Sequence, residues 1–226
     1  MLVPVLTPES ELGPLLIVLA VSAIKNAAED YKRYKQDNKA NQRVYAVIKD
    51  GRAVPTMSKD INPGNVLRLR NGDTVPSDVL CLSTSIYGGT CYVETAELDG
   101  ETRLTRRFAV AATAGKDTDD LISQVSGRFQ CEPPNANLIL FDGRLRVWPS
   151  PGAREKVEPT TINNMLLRGM VLRNVDVVYG VAVFAGPDTR IMRNLKMSGL
   201  KFSTLEKRLN KLVLCIFAYN ACLLVF

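Results

Sequence analysis

Residues 93–107 read VETAELDGETRLTRR, in which acidic and hydroxyl side chains crowd around one glycine before a group of arginines. Within it, Asp99-Gly100-Glu101-Thr102 offers carboxylates on a tight turn, and a carboxylate is a residue type that accepts a proton from water. The same four residues also make an ordinary turn between two strands, because Asp-Gly is common turn chemistry. The chain contains no histidine. That rules out Ser-His-Asp and Cys-His nucleophiles and the usual transition-metal sites, so acid–base chemistry falls to carboxylates, lysine, tyrosine or a partner's groups. The cysteines, Cys81, Cys91, Cys131, Cys215 and Cys222, are odd in number and contain no Cys-x-x-Cys pair. This spacing argues against a disulfide framework and against structural zinc. No glycine-rich phosphate loop of the Walker type occurs either.

The elements that must hold this loop follow from the periodicity. Leu12 to Ile24 is a continuous apolar run, shorter than the roughly 20 residues that span a bilayer. Pro14 suits a first helical turn. The polar continuation to Arg43 has helical composition, with Lys32 and Arg33 placed three and four residues after Glu29. One long helix is expected, apolar at its start and charged beyond. From Val44 the pattern turns to β: a hairpin of Val44–Lys49 and Arg52–Val54 about Asp50-Gly51, then strands at Val66–Arg70, Val79–Leu82 and Cys91–Thr95. A second hairpin is expected from Asn137–Phe141 and Arg144–Trp148 about Asp142-Gly143. Val177–Phe184 reads as a buried strand or pair of strands, residues 118–128 as a short helix and residues 152–161 as a loop. Short strands at turn-punctuated spacing predict a sandwich or barrel. From Leu205 the chain returns to helix and ends in an apolar run to Phe226.

Lysine and arginine exceed aspartate and glutamate, 29 to 23, and much of the excess follows the first apolar run. Basic residues flanking a hydrophobic helix mark a cytoplasmic end. A nucleic-acid face would interleave aromatics with the charges, so no nucleic-acid partner is expected. Two arrangements fit the order of apolar helix, basic stalk, β domain, basic stalk and apolar helix. One is a cytosolic domain slung between two membrane helices; the other is a soluble sandwich bracketed by amphipathic or core helices.

The motifs are more specific in combination. Cys91-Tyr92-Val93-Glu94-Thr95, followed after two residues by Leu98-Asp99-Gly100-Glu101-Thr102, resembles the actuator signature of P-type ATPases. It is most similar to the type IV class, the phospholipid flippases, in which an aspartate precedes Gly-Glu-Thr. Pro76-Ser77-Asp78, Pro134-Asn135 with Leu138, Phe141 and Gly143, Leu166-Leu167-Arg168-Gly169 with Leu172-Arg173-Asn174, and Gly186-Pro187-Asp188-Thr189-Arg190 match family segments in the same order. Ala23-Ile24-Lys25, Glu29-Asp30 and Arg33 fit the second transmembrane helix and its stalk. The resemblance covers nearly the whole chain. It implies a mainly β fold with flanking helices, an actuator-type distorted jelly roll or β-sandwich between two transmembrane helices. The divisions would be residues 1–43 for the transmembrane helix and stalk, 44–198 for the actuator and 199–226 for a stalk and truncated helix. The protein would be integral to the membrane, with the actuator in the cytosol.

P-type pumps transfer the γ-phosphate of ATP to an aspartate in another domain and then hydrolyse the acyl phosphate. The resemblance implies that Glu101 positions the attacking water, with Asp99, Gly100 and Thr102 setting the loop geometry. It implies ATP and magnesium as cofactors of the full-length enzyme, neither bound by this segment. Implied partners are a phospholipid substrate, the phosphorylation and nucleotide domains of the full-length chain and an accessory β-subunit. Arg168 and Arg173 are expected in salt bridges and backbone hydrogen bonds, and Asp188-Thr189 in a turn or helix cap. Four positions depart from the family pattern. Arg103 and Thr105 replace asparagine and lysine, Asn65 stands where aspartate is usual, and Pro187 replaces histidine. The phosphorylated-aspartate motif Asp-Lys-Thr-Gly-Thr is absent, which suggests a fragment, whether from an incomplete sequence or a truncated gene. The alternatives are the actuator of a cation-transporting P-type ATPase and a truncated, non-catalytic membrane scaffold.

Overall fold

The computed structural model describes residues 8–96, 100, 103–148 and 152–197, together with Arg208, Lys211 and Cys215; side chains of the first helix are described from residue 19. Helix α1, Pro8–Asn41, is the expected single long helix. All its described side chains are exposed. Its surface pairs follow helical spacing with different partners from those expected: Lys25 with Glu29 and Asp30 with Arg33. Pairs this exposed add little stability. Among the described residues no helix is long and apolar enough to cross a membrane. The expected transmembrane helix within residues 1–43 therefore has no described span, and only the later part of Leu12–Ile24 has described side chains. The truncated second helix of residues 199–226 lies almost wholly outside the described residues; Arg208, Lys211 and Cys215 are helical and exposed.

Among the described residues, the β domain forms three antiparallel sheets around a shared core. Strands β1 (Val44–Lys49) and β2 (Arg52–Met57) form the expected hairpin, and positive φ at Asp50 and Gly51 gives the turn the twist that matches its strands. They continue a six-stranded sheet with β3 (Val66–Arg70), β4 (Asp78–Thr84), β10 (Met165–Leu166) and β12 (Val177–Phe184). Its order is β10-β4-β12-β3-β1-β2. Every residue of β4 is buried, so this strand is the centre of the core. Gly180 lets β12 lie against it: a Cβ there would collide with the Val79 side chain and sit 2.8 Å from the Leu80 carbonyl oxygen. The second sheet, β11-β5-β6, joins Val171–Arg173, Thr90–Glu94 and Leu104–Phe108. The third, β7-β8-β9, joins Ser126–Cys131, Asp142–Trp148 and Lys156–Thr161. Helix α2 is short, Asp119–Ser123, capped by the Thr118 hydroxyl, which accepts from the Leu121 amide. Helix α3 covers Arg190–Met197.

Three local expectations need correction. Residues 137–141 are not a strand. The Asn137 side-chain oxygen accepts from the amides of Ile139 and Leu140, and that of Asn135 from the Asn137 amide. Local Asx turns thus compete successfully with a sheet ladder. The hairpin about Asp142-Gly143 is therefore absent, and β8 pairs with β7 and β9 instead. The expected loop at 152–161 supplies β9, whose Pro159 is tolerated on a sheet edge. The helix expected over 118–128 stops at Ser123, because β7 begins at Ser126.

Candidate functional site

The acidic loop joins β5 to β6, whose last register pair is Glu94 with Leu104. Glu94 is anchored from β11: Nε of Arg173 lies 2.9 Å and its terminal nitrogen 2.8 Å from one Glu94 carboxylate oxygen. The loop thus leaves the sheet from a strand end fixed by a charge-assisted contact. Asp99, Glu101 and Thr102 lie outside the described residues. Gly100 is described: its amide donates to the Ala96 carbonyl at 3.1 Å, and its φ is +78°. Residues that carry a β-carbon rarely adopt such a left-handed φ. No atom lies within 4 Å of where a Gly100 Cβ would be, so the demand for glycine is conformational.

The two departures after the loop behave differently. Arg103 is exposed. Thr105 pairs with the buried Val93 and is half-buried. Further along β6, Arg106 lies over the Tyr92 ring at 5.9 Å. Burial pulls the Arg107 guanidinium below its ordinary pKa.

Behind the hairpin, distant motif segments meet at one buried carboxylate. Asp78 is fully buried, and its two oxygens accept from the amides of Arg168 at 3.0 Å and Arg190 at 2.7 Å. Burial raises its pKa, against those two amides and the nearby Arg190 and Arg168 charges. Arg168 also donates to the Gly186 carbonyl at 3.1 Å. Arg168 and Arg173 therefore act as ties within the domain, as expected. Asp188 closes a turn and pairs with Arg193 at 2.8 Å, while the Thr189 hydroxyl donates to the Gly186 carbonyl at 2.9 Å. Asn65 keeps the turn chemistry of the aspartate it replaces, its side-chain oxygen accepting from the Asn62 amide at 3.0 Å.

Sequence reasoning did not single out Arg190 as a buried residue. Its side chain is completely inaccessible. One terminal nitrogen donates to the carbonyls of Asn137 and Leu140, the other meets Glu132 at 2.5 Å, and the guanidinium lies 4.9 Å from the Phe141 ring centre. Arg190 thereby ties the Pro134-Asn135 segment to the Gly186–Arg190 segment. Its place in a motif was the only signal, because a buried arginine has no signature in composition or periodicity.

The β domain thus carries the β5–β6 connection on paired strand ends, and its motif segments converge on Asp78 and Arg190. A family model of the P-type ATPase actuator domain matches residues 39–193, and the chain belongs to that family. It is 39% identical over 210 residues to human phospholipid-transporting ATPase ID, an alignment covering 93% of this chain and 17% of that protein. Human phospholipid-transporting ATPase IC is 41% identical over 207 residues, 91% of this chain and 16% of its own length. Phospholipid-transporting ATPase 2 of Arabidopsis thaliana is 36% identical over 219 residues, 97% and 20% respectively. The chain thus spans a fifth or less of these relatives' length, and its matched part is the actuator domain.

Proposed function

We propose that this chain is the actuator of an ATP-driven flippase that moves aminophospholipids between membrane leaflets, and that Glu101 positions the water that hydrolyses its aspartyl phosphate. The observation that supports the reading is the left-handed Gly100, whose amide bonds back to the Ala96 carbonyl, immediately before Glu101 and between the paired strands β5 and β6 of a P-type actuator. A connection so held can enter another domain, and a residue without Cβ brings backbone close to a phosphoryl group. The water oxygen attacks phosphorus, the bond to the aspartate oxygen breaks, and the Glu101 carboxylate takes the water's proton. Asp99 and Thr102 shape the turn.

Among the described residues no group of His, Cys, Asp or Glu is placed to hold a metal ion. Magnesium and ATP belong, on the same reading, to the other domains of the full-length enzyme, and no step here runs through them. The phospholipid substrate, the phosphorylation and nucleotide domains and an accessory β-subunit belong to the same reading. So does a membrane location with the actuator on the cytosolic side. In the full-length enzyme, Glu101→Gln should leave phosphoenzyme formation intact and slow its decay by about a hundredfold or more, the usual contribution of a positioned base. Unchanged decay refutes the role.

A further inference from the structure

The β7-β8-β9 sheet turns one face to the core and the other to solvent. On the solvent face Arg128 of β7 stands directly opposite Arg146 of β8, and Arg144 follows two residues along. Like charges placed directly opposite across a ladder repel. Their cross-strand neighbours are Gln130, Pro159 and Val157, none of which is acidic. Asp142 lies one row beyond Arg144, and none of the three arginines is in an ion pair among the described residues. Trp148 continues the same face opposite Ser126, and Trp148 and Val157 are 40% and 51% exposed.

We propose that this face, built on Arg128, Arg144, Arg146 and Trp148, is a docking surface for an extended acidic peptide. Alternate side chains of an extended peptide recur about every 7 Å, which is the spacing of Arg144 and Arg146 along β8. Guanidinium forks take carboxylates in a bidentate manner, and their planarity favours such pairing over lysine's point charge. Bound carboxylates would relieve the Arg128–Arg146 repulsion that the domain itself leaves uncompensated. Trp148 beside the charges provides the aromatic anchor typical of interface centres. An anionic bilayer would attract the charges at about 1 kcal/mol each, but it offers no repeat to match the alternation of Arg144 and Arg146 along one strand, which an extended peptide does. The inference is independent of the role given to Glu101.

Trp148 is the chain's only tryptophan, so its emission reports the site directly. The full 226-residue chain is titrated with a peptide carrying glutamate at alternate positions and a leucine between two of them. A glutamine-for-glutamate peptide, phosphatidylserine vesicles and phosphatidylcholine vesicles serve as comparisons. The acidic peptide should shift Trp148 emission saturably and more weakly as salt rises, while the glutamine peptide does nothing. Arg128→Gln with Arg146→Gln should weaken binding about 25-fold, taking about fivefold per exposed ion pair. Arg144→Gln, made separately, should weaken it about fivefold. Arg128→Gln alone should melt no lower than the wild type, because it removes an opposed charge. No emission change with the acidic peptide, equal affinity in wild type and variants, or a response to phosphatidylserine vesicles without one to the peptide would each overturn the proposal.

Discussion

Replacing Arg190 with methionine tests whether one buried cation holds the motif segments together. Methionine keeps much of the volume and the flexible stem but carries no donors. The substitution removes charge-assisted bonds to the Asn137 and Leu140 carbonyls and to Glu132, and the contact with Phe141. Breaking a buried pair by deleting one partner costs about 3–5 kcal/mol. Glu132 is 31% exposed, so water partly rescues its carboxylate, and the lower end applies: about 3 kcal/mol. At about 2–4 °C per kcal/mol for a domain of this size, the midpoint should fall by about 10 °C. Arg190→Lys keeps the charge but cannot lie flat on Phe141 while reaching all three acceptors, and should cost about half as much. Urea unfolding followed by Trp148 emission gives both values, and equal slopes would show that the same surface is exposed. A loss below about 1 kcal/mol in Arg190→Met, or equal losses in the two variants, would show that the buried charge does not hold the segments together.

Two further outcomes follow from the fold. Gly180→Ala should destabilise the domain by about 1–3 kcal/mol through overpacking, because β4 backbone and the Val79 side chain occupy the Cβ position; a change within a few tenths, measured by the same unfolding assay, would contradict the close approach. Burial, with a hydrogen bond to Asp119 of 2.7 Å, pushes the Tyr179 phenol from 10.0 up to about 12. Its folded value exceeds its unfolded one, so its contribution to stability is complete below pH 10.0 and disappears as pH rises to about 12. The stability gap between wild type and Tyr179→Phe should therefore shrink across that window, and parallel profiles would refute the assignment.

Much of the β domain was legible because it rests on local rules. The Asp50-Gly51 hairpin, the alternation in Val66–Arg70 and the apolar run in Val177–Phe184 each carry their own turn or burial signal. The expectations failed where side-chain hydrogen bonds or a distant group decided the outcome. Residues 137–141 look like a strand by composition, yet their backbone is taken by asparagine side chains and by Arg190, some fifty residues away in sequence. Residues 156–161, with a proline among polar residues, become a strand because β8 offers an unpaired edge. The candidate loop divides in the same way. Gly100 was legible as a turn residue, while the Arg173 clamp on Glu94 needed β11 to be placed beside β5.

By itself, the sequence determined the chemistry available to this protein: no histidine, the acidic Asp99-Gly100-Glu101-Thr102 stretch and a set of ordered motifs. It also determined each turn whose φ demands glycine, asparagine or aspartate, because those constraints lie within a few residues. Only the tertiary structure decided that Asp78 and Arg190 are the points where the motifs meet, and that three arginines share one solvent face. Burial and charge pairing depend on which strands become neighbours. In this domain the deciding neighbours are far apart along the chain.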